Sequence, residues 1–121
     1  MPDRDTTVGQ LRDLVREFVA ERDWQRYHDP KNLSMAIAIE AAELMEHFQW
    51  LRSEELAGAA GDERIRGEIC DEMADIACFL LAMANVLDVD LSEAIRRKMV
   101  KNRSKYPADE FRGRYFKPPG V

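Results

Sequence analysis

An all-α fold, a four-helix bundle, is what this sequence predicts. Apolar residues recur at three- and four-residue spacing through four segments, capping residues stand before the first and last of them, and nowhere do alternating residues make a strand. Thr7 followed by Gln10 suits a capping box that opens a first helix, whose Leu11, Leu14, Val15 and Phe18 trace an apolar stripe to about Arg22. "DWQRYHDPKN" then makes a connector. A second helix is expected from about Asn32 to Leu51, followed by "SEELAGAAGDE", whose glycines suggest a loop with room for one short helical turn. The third helix is expected from about Glu63 to Leu87. Asp90 and Glu93 fit the cap and third position of a last helix ending near Lys105, before "YP" and a tail rich in Pro, Gly and Arg. The organisation expected is one domain over residues 1–107 and a tail over 108–121.

Composition narrows the function. A chain of 121 residues buries one core, and 18 basic against 23 acidic residues give a formal charge of -5. That balance argues against a nucleic-acid polymer or a membrane surface as partner, while a small polyanion held through a metal stays open. The N-terminus does not resemble a signal peptide, and "IACFLLAMANVL" is too short to span a bilayer, so the expected location is cytoplasmic. Cys70 and Cys78 fall about 12 Å apart along one predicted helix, beyond disulfide reach, and are read as reduced core or packing residues.

Carboxylates interrupt this pattern. With Glu40 set at zero on a helical wheel, Leu33 falls at about 20°, Leu44 at about 40° and Ile39 at about -100°, so Glu40 and Glu43 (about -60°) sit between apolar flanks. In the third helix Glu72 lies among Ile65, Phe79 and Met83, with Asp75 at about -60° from it. Each helix thus places an acidic pair one turn apart inside the face that should pack. Unpaired carboxylates taken out of water cost several kcal/mol each, roughly, so the cluster needs compensating cations or raised pKa values. Pairing with Arg and Lys of other helices, or a solvated groove, is the alternative. Ligands limited to oxygen suit Mg²⁺, with Mn²⁺ as substitute, better than Zn²⁺. A di-iron bundle is disfavoured because no Glu-x-x-His motif is present. An open carboxylate cage fits metal-assisted phosphoryl chemistry.

"NLSMAIAIEAAELMEHFQW", "EICDEMADIACFLL", "KMVKNRSKYP" and "ERDWQRYHDPKN" together resemble the MazG-like all-α nucleoside triphosphate pyrophosphohydrolases, especially their dCTP pyrophosphatase branch. The resemblance runs from about Leu11 to Pro107. It implies cleavage of a (deoxy)nucleoside triphosphate to the monophosphate and pyrophosphate, as nucleotide-pool housekeeping. It places the metal ligands at Glu40, Glu43, Glu72 and Asp75; among these, Glu43 is taken as the residue for orienting or deprotonating water. Lys98, Asn102 and Arg103 are implied as phosphate or sugar contacts, although a basic last turn also suits the helix dipole. Trp24, His28 and Phe79 are implied around the base. Trp50, about 20° round the predicted helix from Glu43 and roughly 10 Å along it, is placed to stack on the base; ordinary packing is the alternative for both tryptophans. Val15 and Phe79 stand where the vertebrate dCTP-hydrolysing members carry histidine and tyrosine, so a strict dCTP preference does not follow. A non-enzymatic helical binding module is the alternative of a different class. The nearly all-round apolar segment from Ile76 to Leu87 predicts a homo-oligomer, and the resemblance specifies a tetramer built from dimers. "RYF" and the prolines after it could cover a pocket or a neighbouring subunit, or form a loose terminus.

Overall fold

The computed structural model describes residues 1–114, and among them helices and turns are present without any strand. Met1–Val89 forms one compact unit and a second begins at Asp90. In the first unit a 3-10 turn at Asp3–Asp5 precedes α1 (Val8–Glu21), and another at Gln25–Tyr27 leads into α2 (Pro30–Glu46). A third turn, Ser53–Glu55, runs into the short α3 (Leu56–Gly61), and α4 (Glu63–Leu87) closes the unit. The second unit holds α5 (Leu91–Lys105) and a helical turn, α6 (Ala108–Phe111). The proposed cover by the terminal "RYF" and its prolines falls, beyond Arg114, outside the described residues.

Helix starts follow side-chain chemistry. The capping box at Thr7 and Gln10 forms in both directions, with Gln10 N–H donating to Thr7 Oγ1 at 3.0 Å and Thr7 N–H to Gln10 Oε1 at 2.8 Å. Asp62 caps α4 by accepting from the N–H groups of Arg64 and Ile65, and Asp90 caps α5 by accepting from Glu93 N–H. α2 starts two residues before its expected position. Asp29 accepts from Asn32 N–H at 2.7 Å, so Asn32 is the third helical residue, and Pro30 occupies the first turn, where its missing N–H costs nothing.

The end of α2 departs further from expectation. The helix stops at Glu46, and residues 47–50 form tight turns in which Phe48 N–H donates to Met45 O and Leu51 N–H to Phe48 O, before Arg52 turns extended. Bonds spanning three residues predominate there, with Gln49 N–H to Met45 O at 3.0 Å still spanning four, in a run of His, Phe and Trp with weak helix propensity. Trp50 is therefore not on the helix of Glu43, and the angle and rise that placed it beside the metal ligands do not apply.

The core of the first unit lies where α4 packs on α2 and on α1. Val19, Leu33, Leu81, Ala82 and Ala84 are buried, Leu33 most completely at 2 % exposed. Cys70 and Cys78 are free and exposed rather than core residues. No helix among the described residues is long and apolar enough to cross a membrane.

Candidate active site

Two neighbouring helices of the first unit bring acids together. Glu40 and Glu43, three residues apart, share one face of α2; Glu72 faces them from α4. Each offers a carboxylate oxygen, and these atoms all lie within 4.8 Å of one another. Opposite oxygens around a hard divalent cation stand about 4 to 5 Å apart, twice the metal–oxygen distance. Three ligands at this spacing thus fit one ion.

Electrostatics distinguish this cluster from a solvated acidic face. Glu40 Oε2 and Glu72 Oε2 are buried without a hydrogen-bond partner. Loss of surrounding water, then the adjacent carboxyls of Glu72, Glu43 and Asp75, push the Glu40 pKa up to about 7. Glu72 is raised as well, first by loss of water and further by Glu43 and Asp75, against a contact with Glu40 that lowers it. Among the described residues none of these four acids joins an ion pair. Pairing with Arg and Lys is thus not seen among the described residues, while Glu43 and Asp75 stay exposed beside the two desolvated oxygens of Glu40 and Glu72. Two orphaned, solvent-excluded oxygens among like charges are what a bound cation would satisfy.

Asp75, one turn beyond Glu72, is exposed and outside the three-oxygen group, but its charge reaches Glu40 and Glu72. It also lines a cavity of about 510 Å³ whose walls include Leu14, Val15 and Phe18 of α1, Cys78 and Phe79 of α4, and Trp24 and His28 of the connector. The acids and an aromatic chamber therefore adjoin through Asp75. Trp24 is aimed by the end of α1: Asp23 takes a left-handed conformation (φ 53°), and Trp24 N–H returns to Val19 O at 3.0 Å. Its ring meets Phe18 edge-on with centroids 5.7 Å apart, and the Arg22 guanidinium lies 3.8 Å from the Phe18 ring centre. The Cys78 thiol is pushed up by burial and then by Asp75, so it stays protonated near neutral pH.

Of the residues expected in the site, Glu40, Glu43 and Glu72 meet, and Asp75, Trp24, His28 and Phe79 share the adjoining cavity. Trp50 is 84 % exposed and lines neither cavity described in this structure. Lys98, Asn102 and Arg103 lie on α5 in the second unit, where Asn102 Nδ2 contacts Met99 Sδ at 3.8 Å. Leu14, Phe18, Cys78 and Ala82 line the cavity although the sequence placed none of them in a site. Helical spacing marks them only as an apolar stripe, and a stripe that walls a cavity has the same period as one that fills a core.

The chain is similar to known proteins in sequence and in fold. Residues 35–115 match the MazG-like family. The chain is 41 % identical over 109 residues to dCTP pyrophosphatase 1 of Bos taurus, and 39 % identical over 104 residues to the same protein of Homo sapiens. Those matches cover 90 % and 86 % of this chain but 64 % and 61 % of the relatives, so the chain spans under two thirds of their length. The crystal structure of a pyrophosphatase from Archaeoglobus fulgidus is similar with a TM-score of 0.78 and 42 % identity, over 88 % of this chain and 98 % of that one.

Proposed function

This chain belongs to the MazG-like family, and from that premise we propose that it hydrolyses a (deoxy)nucleoside triphosphate, dCTP or a modified nucleotide, to the monophosphate and pyrophosphate. One observation carries the proposal: a partnerless, partly desolvated carboxylate cluster adjoins an aromatic cavity large enough for a base. The names of the relatives, dCTP pyrophosphatase 1 and a pyrophosphatase, support the same chemistry.

In this proposal Glu40, Glu43, Glu72 and Asp75 hold Mg²⁺, for which Mn²⁺ can substitute. When bound, the cation supplies charge neutralisation to the phosphates and acidifies water. Glu43, the most exposed of the three clustered glutamates, orients or deprotonates the attacking water. Trp24 and Phe79 hold the base between aromatic faces, and His28 offers the cavity a hydrogen-bonding edge. Val15 and Phe79 give the base no polar contact, which favours tolerance at that edge over strict dCTP selection. Lys98, Asn102 and Arg103 are assigned to phosphates and sugar by family position alone, and Trp50, which stands beyond the end of α2, keeps no geometric support for base stacking. The assembly proposed is a homotetramer of two dimers, with the cytoplasm as its location.

The deciding experiment identifies the first products from a panel of canonical and modified triphosphates with and without Mg²⁺. Pyrophosphate and monophosphate, formed only with the divalent ion, are expected. Nucleoside diphosphate plus orthophosphate would sink the assignment, and binding without turnover across the panel would favour a non-enzymatic helical module.

A further inference from the structure

The two helical walls of the aromatic cavity are tied together at one place. Arg12 of α1 donates through Nε to Asn85 Oδ1 at 3.0 Å, through Nη1 to Val89 O at 2.6 Å and through Nη2 to Ala84 O at 3.1 Å, all at the end of α4. Asn85 Nδ2 donates back to Arg12 O at 3.1 Å, and Arg16 Nη2 donates to the same Asn85 Oδ1 at 2.8 Å. Among the described residues no other side-chain hydrogen bonds join α1 to α4. The remaining packing between them is apolar and without direction, so it resists separation but fixes register weakly.

The clasp is placed to control the cavity. Arg12 stands three residues before Val15, and Asn85 three residues after Ala82; Val15 and Ala82 both line the 510 Å³ chamber. On each helix the clasp is therefore one turn from the chamber wall. Arg16 and Asn85 also line a smaller cavity of about 240 Å³ that shares His28 and Ala82 with the larger one. The carboxylate cluster, by contrast, is built from α2 and α4 and does not use α1.

We propose that Arg12 and Asn85 are positioning residues that set the spacing and register of α1 against α4, and through them how tightly the nucleobase is held. This rests on the base occupying the aromatic cavity, as proposed above. The planar guanidinium is needed because its fork reaches a side-chain oxygen and two carbonyls at once, which a lysine ammonium cannot reproduce in the same geometry.

The test compares the full chain with Asn85→Ala, Arg12→Lys and the double variant, measuring affinity for an unhydrolysable dCTP analogue and for inorganic tripolyphosphate in the presence of Mg²⁺. Each single variant should weaken the nucleotide by about tenfold and leave tripolyphosphate, which has no base, within about twofold. In turnover KM should rise while kcat largely holds. The double variant should be little worse than the worse single, because both changes break one network. Arg12→Lys keeps a cation at the end of α4 and gives a folded test protein should Asn85→Ala be unstable. Equal losses for both ligands, or no loss for either, would overturn the positioning role. A Trp24→Ala control separates the two levels: if it weakens nucleotide binding while the clasp variants do not, the clasp alone is wrong. Unchanged nucleotide affinity in Trp24→Ala would instead remove the base from the cavity, and the clasp's role with it.

Discussion

A carboxyl held at a pKa of about 7, as Glu40 is, ionises at greater cost in the folded chain than in the unfolded one. Its folded value lies above the ordinary one. Its contribution to stability is therefore fully present below about pH 4.5 and lost as pH rises through about 7, and Glu72 acts in the same direction. Metal-free protein should thus lose thermal stability between about pH 5 and pH 8, and added Mg²⁺ should restore more of it at the alkaline end, where no proton must be displaced. Melting curves in chelator and in Mg²⁺ across that range test this, and a metal-free melting temperature that ignores pH would count against the shifted carboxyls. Glu72→Gln keeps the shape and removes one charge. It should keep native helicity, weaken Mg²⁺ binding and lower turnover at least about 100-fold. The meeting of Glu40, Glu43 and Glu72 was legible because three-residue spacing and two apolar helix faces specify it almost without tertiary information. Trp50 was misplaced because its position depended on where α2 stops, which angular bookkeeping assumes rather than predicts.

Elements were legible in proportion to how local their causes are. Thr7 and Asp90 each announce a helix through a side chain that accepts from a backbone N–H three residues ahead, and α1 and α5 begin where those caps require; Asp62 caps α4 in the structure by the same means. Helix ends are set by weaker preferences, and two of them use an unexpected residue. Asp23 and Asp88 both adopt φ 53°, a conformation usually given to glycine, and Val89 N–H returns to Ala84 O at 3.0 Å just as Trp24 N–H returns to Val19 O. At Asp88 an acid also faces the negative end of α4, which Arg12 partly offsets through its bonds to Ala84 O and Val89 O. Asp88→Gly should therefore stabilise the chain by about 0.5 kcal/mol, and Asp88→Val should destabilise it by at least about 1 kcal/mol, because a β-branched side chain fits that conformation poorly. Denaturant midpoints with unchanged slopes would measure both. Equal stability of the Gly and Val variants would mean that the left-handed turn is not maintained in solution.

For the molecule as a whole, the buried set is small for the length of its helices. In the unit Met1–Val89 five apolar residues are buried, while Phe18, Met35, Ile39, Leu80 and Leu87 remain exposed. The segment from Ile76 to Leu87 was expected to outrun the cover available within one chain, and Leu80, Val86 and Leu87 do lie open. Burial in a second copy is the proposed remedy, since a core this small leaves little to offset the entropy of ordering the chain. Met35 and Ile39 mark a place to test it: four residues apart on α2, they form one apolar stripe, and Met35 stands more than a turn away from Glu40. Met35→Glu puts a charge into that stripe without touching the carboxylate cluster. If the stripe is a subunit contact, sedimentation at micromolar concentration should show the variant dissociating where the parent chain stays assembled, with a melting temperature that falls and becomes more dependent on protein concentration. Mg²⁺ binding measured on whatever folded species remains should be retained, because the three clustered ligands come from one chain. A parent chain that sediments as a fully active monomer would defeat the assembly, and would require these helices to be stable with their apolar faces in water.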